Sequence, residues 1–235
     1  MKTKMILLLL AAMTTLFACS KDDDGVDPYD PDATRTIKLS LKAGLGTIQF
    51  DFEDEHGDYY ENISFPTDLL INWGDGSISS SNSHYYNHSS TYNVTIQTKN
   101  LKWFKLSGYD GCSVHTIDFK DCNSLVGIGL YGNDLTTLDV SGLKALEYLE
   151  CDYNNLTSLD IKGCSSLTYV DCSHNKLSAE ALNEIFNDLP QGITWTDKYG
   201  DKLQSIIYFD RNPGSNTCDK SIAEKKGWKV INSRW

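Results

Sequence analysis

Three stretches of this chain repeat at a spacing of 21 residues, and so short a period restricts what the chain can fold into. Leu125, Leu146 and Leu167 share one phase. So do Ile128, Leu149 and Val170, then Leu130, Cys151 and Cys172, then Asn133, Asn154 and Asn175, then Leu135, Leu156 and Leu177. A unit of this size cannot bury its own apolar face. Stacked units bury one continuous core and set short parallel strands side by side as a ladder. Such an array is a display surface, which makes recognition the leading class of function.

Written out, the repeat is L-x-x-L-x-L/C-x-x-N-x-L, which resembles the leucine-rich repeat. The resemblance implies an α/β chain: a short solenoid with a parallel strand ladder and a helix-containing C-terminal cap. Counting back 21 residues from Leu125 reaches Phe104. Tyr109, Val114, Ile117, Asp118 and Phe119 keep the phase of Leu130, Leu135, Leu138, Asp139 and Val140, while Ser107 breaks the pattern. This predicts a degenerate first unit with Cys112 at the Asn position. Downstream, Ser178 to Leu189 predicts a helix. Ser178 is its N-cap, Ala181, Leu182, Ile185, Phe186 and Leu189 form its apolar stripe, and Pro190 follows it. Ile206 to Asp210 predicts a strand and keeps Asn212 in the Asn phase; Asp219 to Lys226 predicts a closing helix, and Trp228 to Ile231 a last strand. The segment IYFDRNPG…CDKSIAEKKGWKVI is similar to the cap on internalin-like repeats in surface lipoproteins of Gram-negative gut anaerobes.

Residues 1–18 read as a signal peptide, with Lys2 and Lys4 ahead of an apolar run too short to span a bilayer. Leu16-Phe17-Ala18-Cys19 looks like a bacterial lipobox, which implies cleavage before Cys19 and lipid on its thiol. Residues 19–35 read as an acidic tether, opened by Ser20-Lys21-Asp22-Asp23-Asp24-Gly25. In the lipoproteins that this chain resembles, such a run implies export to the outer face of the outer membrane. Contact with the membrane is then expected only through the lipid on Cys19.

Residues 36–100 read as a β-rich module. Thr36 to Lys42, Thr47 to Phe52, Leu69 to Trp73 and Tyr92 to Thr98 alternate at period two. Trp73-Gly74-Asp75-Gly76, His84-Tyr85-Tyr86 and Tyr92-Asn93-Val94-Thr95-Ile96 together resemble PKD-like, Ig-like modules. Asp75-Gly76 also suits a tight hairpin. The acidic segment Glu53 to Asp58 has hard oxygen ligands for calcium but no fixed calcium-loop spacing, and it reads as a solvated loop. Residues 101–235 carry the repeats and their cap.

Removal of residues 1–18 leaves 19 basic against 32 acidic residues, a balance of −13 with His neutral. That argues against nucleic acid and anionic membrane as partners. Cys151 and Cys172 fall at the inward Leu130 position, and Cys122 and Cys164 at the Leu143 position, so all four are expected as buried free thiols. Cys-x-x-Cys is absent, and neither a metal nor a cofactor is expected.

Strand alternation turns the residues beside the inward positions outward. At a constant spacing three columns result: Leu106, Gly127, Tyr148, Tyr169, Ile206; then Gly108, Gly129, Glu150, Asp171, Tyr208; then Asp110, Tyr131, Asp152, Ser173, Asp210. The expected ligand face is therefore Tyr131, Tyr148, Tyr169 and Tyr208 for apolar contact, with Glu150, Asp152, Asp171 and Asp210 for charge. Asn133, Asn154 and Asn175 are expected to be structural, at the bend of each unit. H-E-x-x-H, G-x-S-x-G and P-loop motifs are absent. The chain reads as a non-enzymatic surface protein that binds a protein partner. The alternatives are a glycan-capture lipoprotein supporting polysaccharide uptake and, less favoured by the residues, a glycan hydrolase.

Overall fold

The structure is a computed structural model that describes residues 34–50, 68–99, 101–108, 112–196 and 201–232. The signal segment, Cys19, all of the tether before Thr34, the acidic segment 53–58, and Tyr109 with Asp110 lie outside the described residues. The architecture is α/β, mostly strands.

Period-two alternation shapes the first half. β1 (Arg35–Ala43) buries Ile37, Leu39, Leu41 and Ala43 and exposes Lys38 and Lys42. β2 is Gly46–Gln49, β3 Leu70–Asn72, β4 Ile78–Ser79, β5 Ser83–Tyr86 and β6 Ser90–Thr98. β6 pairs antiparallel with β1 along its length, from Arg35↔Thr98 to Ala43↔Ser90. β3 lies on the other flank of β6, β4 lies outside it, and β2 with β5 form a separate ribbon. Trp73 is fully buried between the rings of Phe50 and His84, and the Tyr86 hydroxyl donates to its carbonyl at 2.8 Å.

The second half carries strands at the repeat spacing. β7 is Trp103–Lys105, β8 Ser113–Asp118, β9 Gly127–Gly129, β10 Thr137–Asp139, β11 Tyr148–Glu150, β12 Ser158–Asp160 and β13 Tyr169–Asp171. Helix α1 (Ala179–Asp188) follows, with the Ser178 side chain accepting from the Ala181 amide and Leu182, Ile185 and Phe186 buried. Then come hairpin strands β14 (Thr194–Thr196) and β15 (Lys202–Gln204), strand β16 (Ile206–Tyr208), helix α2 (Ser221–Lys225) and strand β17 (Lys229–Ile231). β7, β9, β11, β13, β16 and β17 form one six-stranded parallel sheet in chain order. β10 and β12 form a second parallel pair, Leu138↔Leu159 at its centre, which the sequence reading did not anticipate. β8 occupies the phase of β10 but pairs antiparallel with β1. One apolar core runs from Ile37 to Trp228.

The first unit departs from the constant spacing. Trp103, Phe104 and Lys105 pair with Gly127, Ile128 and Gly129, an offset of 24 residues. Leu101 and Leu106, both buried, thus take the places of Leu125 and Leu130, and Phe104 sits at the Ile128 position rather than the Leu125 position. The spacing returns to 21 by β8, where Val114 takes the position of Leu135: the amide of each donates to an Asn Oδ1 of the following unit. The three extra residues therefore fall between Leu106 and Val114. Leu106 and Gly108 do not head the columns expected for them, and Ser107 is no break in the pattern.

The Asn side chains tie neighbouring units together. Asn154 Nδ2 donates to the carbonyls of Leu130 (2.7 Å), Cys151 (3.1 Å) and Asp152 (3.2 Å), and its Oδ1 accepts from the Leu135 amide at 3.1 Å. Asn133 and Asn175 repeat the arrangement, with Oδ1 accepting from Val114 and Leu156. Asn212 closes the series with Leu177 and Cys172. Cys151 and Cys172 are fully buried free thiols at the Leu130 position.

Replacing Asn154 with Ala orphans the buried Leu135 amide and takes one donor from the carbonyls of Leu130, Cys151 and Asp152, which keep Asn133, Asn175 and the Gly132 amide. At about 1–3 kcal/mol per orphaned group, the expected loss is about 3 kcal/mol. For a chain of this size that is a fall of roughly 10 °C in Tm. Calorimetry checks it; an unchanged melting curve would show that the bridge contributes nothing.

Candidate recognition face

The six-stranded sheet turns one face toward solvent, and its side chains are set by register. Tyr148 pairs with Tyr169 on the next strand, and Tyr169 with Ile206. The Tyr148 and Tyr169 rings stack at 4.3 Å between centroids and 9° between planes. Trp103 continues the row on one side, 5.6 Å from Tyr148, and Tyr208 on the other, 5.7 Å from Tyr169. Gly127 lies between Trp103 and Tyr148 in register. A Cβ there would stand 2.0 Å from the Trp103 ring, so only glycine lets the indole reach across to Tyr148. Burial first, then the neighbouring Glu150 and Tyr169, raises the Tyr148 phenol far above its ordinary range. It is a neutral hydroxyl at any physiological pH.

The carboxylates do not stand as expected. Glu150 is half-buried, but Asp152, Asp171 and Asp210 are buried rather than displayed. The Asp171 carboxylate turns back along its own chain and accepts from the Ser173 amide at 3.1 Å and the Ser173 hydroxyl at 2.7 Å. Asp210 Oδ2 lies 4.0 Å from Arg211 Nε. Alternation fixes which side a residue faces but not how deep it lies. A short aspartate next to large rings in register, as Asp171 is to Tyr208, sits beneath them.

Tyr131 joins a different row. Its ring lies 5.2 Å from Tyr153, and Tyr153 stacks on His174 at 3.9 Å and 13°. Tyr153, His174 and Arg211 have φ of 53°, 51° and 56°, and Gly132, one residue before Asn133, has φ 71° at the same step. Each precedes an Asn of the bridge series, so the left-handed step recurs with the units. Tyr153, His174, Arg211 and Trp103 belong to the face and were missed in sequence. The first three were legible as the residues ahead of Asn154, Asn175 and Asn212. Trp103 was hidden by the longer first unit.

No family model matches the sequence, and neither a curated protein nor a solved structure does so. What the face can do therefore rests on its own chemistry. Among the described residues no three His, Cys, Asp or Glu side chains converge as metal ligands, and no helix is long and apolar enough to cross a membrane.

One Ser–His–Asp grouping occurs away from this face, in the hairpin joining β3 to β4 and in β5. His84 Nε2 lies 2.7 Å from Asp75 Oδ2 and 3.5 Å from Ser77 Oγ. A carboxylate only accepts, so Nε2 carries the proton. The Ser77 hydroxyl itself donates to Asp75 Oδ1 at 2.5 Å. A catalytic triad needs serine and aspartate on opposite imidazole nitrogens; here both meet the same one, and the grouping serves to lock the hairpin. Gly74, at φ 82°, sits where a Cβ would meet the Asn93 carbonyl at 2.7 Å.

Desolvation pushes the Asp75 carboxyl up, but hydrogen bonds from the Ser77 side chain and amide and from His84 outweigh it and bring the group down to about 2. A carboxyl depressed on folding adds stability that is fully present above its unfolded value and lost as pH falls through the folded one. Wild-type Tm should therefore lose this contribution on acidification from about pH 4 to about pH 2, and Asp75→Asn should show a flatter profile across that window. Melting curves taken through this range test it; parallel profiles would mean that Asp75 holds nothing.

Proposed function

We propose that this chain is a short leucine-rich-repeat solenoid preceded by a PKD-like module, and that it is a non-catalytic recognition protein held at the outer surface of the outer membrane by lipid on Cys19. Its partner is a protein, bound on the open face of the six-stranded sheet. The repeat reading is supported by the 21-residue phase, the chain-order parallel strands and the Asn bridges between units. The anchor reading is supported by the lipobox-like residues 16–19 after a short apolar run.

The observation that carries the choice of partner is the way the aromatic rings stand. Tyr148 and Tyr169 each give one face to the other, with Trp103 and Tyr208 tilted alongside them, and Tyr153 likewise gives one face to His174 with Tyr131 tilted beside it. A sugar ring binds an aromatic side chain through a free face. Ring edges and hydroxyls instead suit the mixed apolar and hydrogen-bonding surface of a protein. Glycan capture remains the rival outcome, and a hydrolase the third. Glu150 and Asp171 sit on adjacent paired strands, where directly opposed residues stand about 4.8 Å apart. Asp171 is already held by Ser173.

The mature chain is to be used as bait beside a glycan array. A protein captured by wild type should be lost from Tyr148→Ala/Tyr169→Ala, because truncating central aromatics typically costs about 2 kcal/mol or more each. The array should stay silent. Glycan binding without protein capture would replace the reading, and undiminished capture by the double variant would move the site off this face.

The anchor is tested separately. Cys19→Ala should shift the protein from the membrane to the soluble fraction; continued fractionation with the outer membrane would remove the lipid from the account.

A further inference from the structure

The hairpin of β14 and β15 stands apart from the rest of the described fold. Each of the other two-stranded sheets lays side chains into the core: Ile48 and Tyr86 in β2–β5, Leu138 and Leu159 in β10–β12. β14 and β15 bury none, and all their residues are exposed. Their pattern is nonetheless amphipathic. Trp195 pairs with Leu203 on one side, and Ile193, two residues before Trp195, shares that side. Thr194, Thr196, Lys202 and Gln204 hold the other. Ile193, Trp195 and Leu203 are 53 %, 37 % and 40 % exposed. Two strands alone are marginal in water, and stability comes with further strands and a shared apolar side.

The open edge of β14 has a definite hydrogen-bonding pattern. The Ile193 carbonyl accepts from the Ser205 amide at 2.9 Å. Antiparallel alternation then gives the bonds with β15 to Ile193 and Trp195, and turns the N–H and C=O of Thr194 and Thr196 outward. Among the described residues no further strand pairs with that edge. β14 reads Thr-Trp-Thr, the same in both directions. Set antiparallel against a copy of itself, Thr194 faces Thr196 of the second copy and exchanges both backbone bonds with it. Trp195 then faces Trp195 of the second copy at the closer position, where side chains meet. One register thus uses every outward donor and acceptor of the strand. It also joins Leu203, Trp195 and their copies into an apolar stripe across four strands. Charge does not oppose it: residues 193–205 carry two acidic and two basic side chains, in an otherwise acidic chain. A lipid surface fits less well, because hydrocarbon satisfies no backbone group on an open edge.

We propose that β14 is a self-association strand, through which two copies of this chain pair antiparallel about Trp195 and build a four-stranded sheet. The contact shares no residue with the Tyr148–Tyr169 face, so it is independent of the recognition reading. Strands of three residues bury little area, and contacts well under about 1,200 Å² are transient. Half-dimerisation is expected on the order of 100 µM.

Sedimentation equilibrium of the mature chain carrying Cys19→Ala, from about 1 µM to about 1 mM, tests this. Reductant keeps the six free cysteines from crosslinking, and moderate salt screens the acidic bodies. The average mass should rise from monomer to dimer. Thr196→Pro removes an outward amide and leaves the bonds to β15 in place. It should raise the dimer Kd at least about tenfold and hold Tm within about 2 °C. Thr196→Val keeps the amide and should dimerise as wild type does. Trp195→Glu sets two carboxylates opposite each other and should stay monomeric.

A wild type that stays monomeric throughout overturns the proposal. Undiminished dimerisation in both Thr196→Pro and Trp195→Glu overturns it too, and places the contact elsewhere. An equal loss in Thr196→Val and Thr196→Pro makes the side chain the cause and removes the edge pairing. If Thr196→Pro melts early, Trp195→Glu against wild type decides. A monomeric wild type that cosediments with phosphatidylcholine vesicles, and loses this in Trp195→Glu, gives the ribbon to a lipid surface instead.

Discussion

Everything in the repeat region depends on one buried amide per unit. An Asn side chain has two donors and one acceptor group, and here all are engaged across the boundary between neighbours. Its Nδ2 holds carbonyls of its own turn and of the preceding unit, and its Oδ1 holds an amide of that same preceding unit. Strands of three residues supply few ladder hydrogen bonds of their own. The sharp bend after each strand would otherwise strand backbone polar groups inside the core, where an unmade bond is costly. The Asn bridge satisfies them and fixes the spacing of the units at the same time. Leu, Ile and Val then fill the interior, and Cys151 and Cys172 replace Leu130 where a smaller apolar group suffices.

That fixed spacing also arranges the surface. In-register strands stand close enough for side chains at equal positions to stack, and Tyr148 on Tyr169 is the direct result. Glycine governs where the row can extend. At Gly127 the missing Cβ lets Trp103 span a whole strand. The aspartates fall into the shadow of these rings and become part of the support.

How far the sequence speaks for the structure follows from which forces are local. Phase identified the buried ladder positions, the Asn series through Asn212, the Ser178-capped helix and the alternating strands of the first half, because each rests on periodicity or a nearby hydrogen bond. The first unit shows where phase fails. A three-residue lengthening is invisible if the period is held constant, and it moved Phe104 and Leu106 to the wrong places and hid Trp103. Burial of Asp152, Asp171 and Asp210 was equally hidden, since side-chain depth depends on the size of neighbours on other strands. The pair β10–β12 was missed because its strands are short and exposed on alternate residues, leaving little hydrophobic signal.

Strand β8 has a double allegiance. By phase it belongs to the repeats: the Val114 amide donates to Asn133, its carbonyl accepts from the Asp134 amide, and Ser113 donates to the Asp134 carboxylate. By pairing it belongs to the sheet of the first half, as the strand beyond β1. A repeat array ordinarily frays from its ends, because each unit is held only by its neighbours. Here the first unit cannot loosen without stripping an edge from an antiparallel sheet, and its Phe104 ring packs 5.9 Å from Phe50, at the end of the separate β2–β5 ribbon. Fraying from the N-terminal side is thereby converted into a single concerted event, leaving the end near β17 as the place where the array can come apart by degrees.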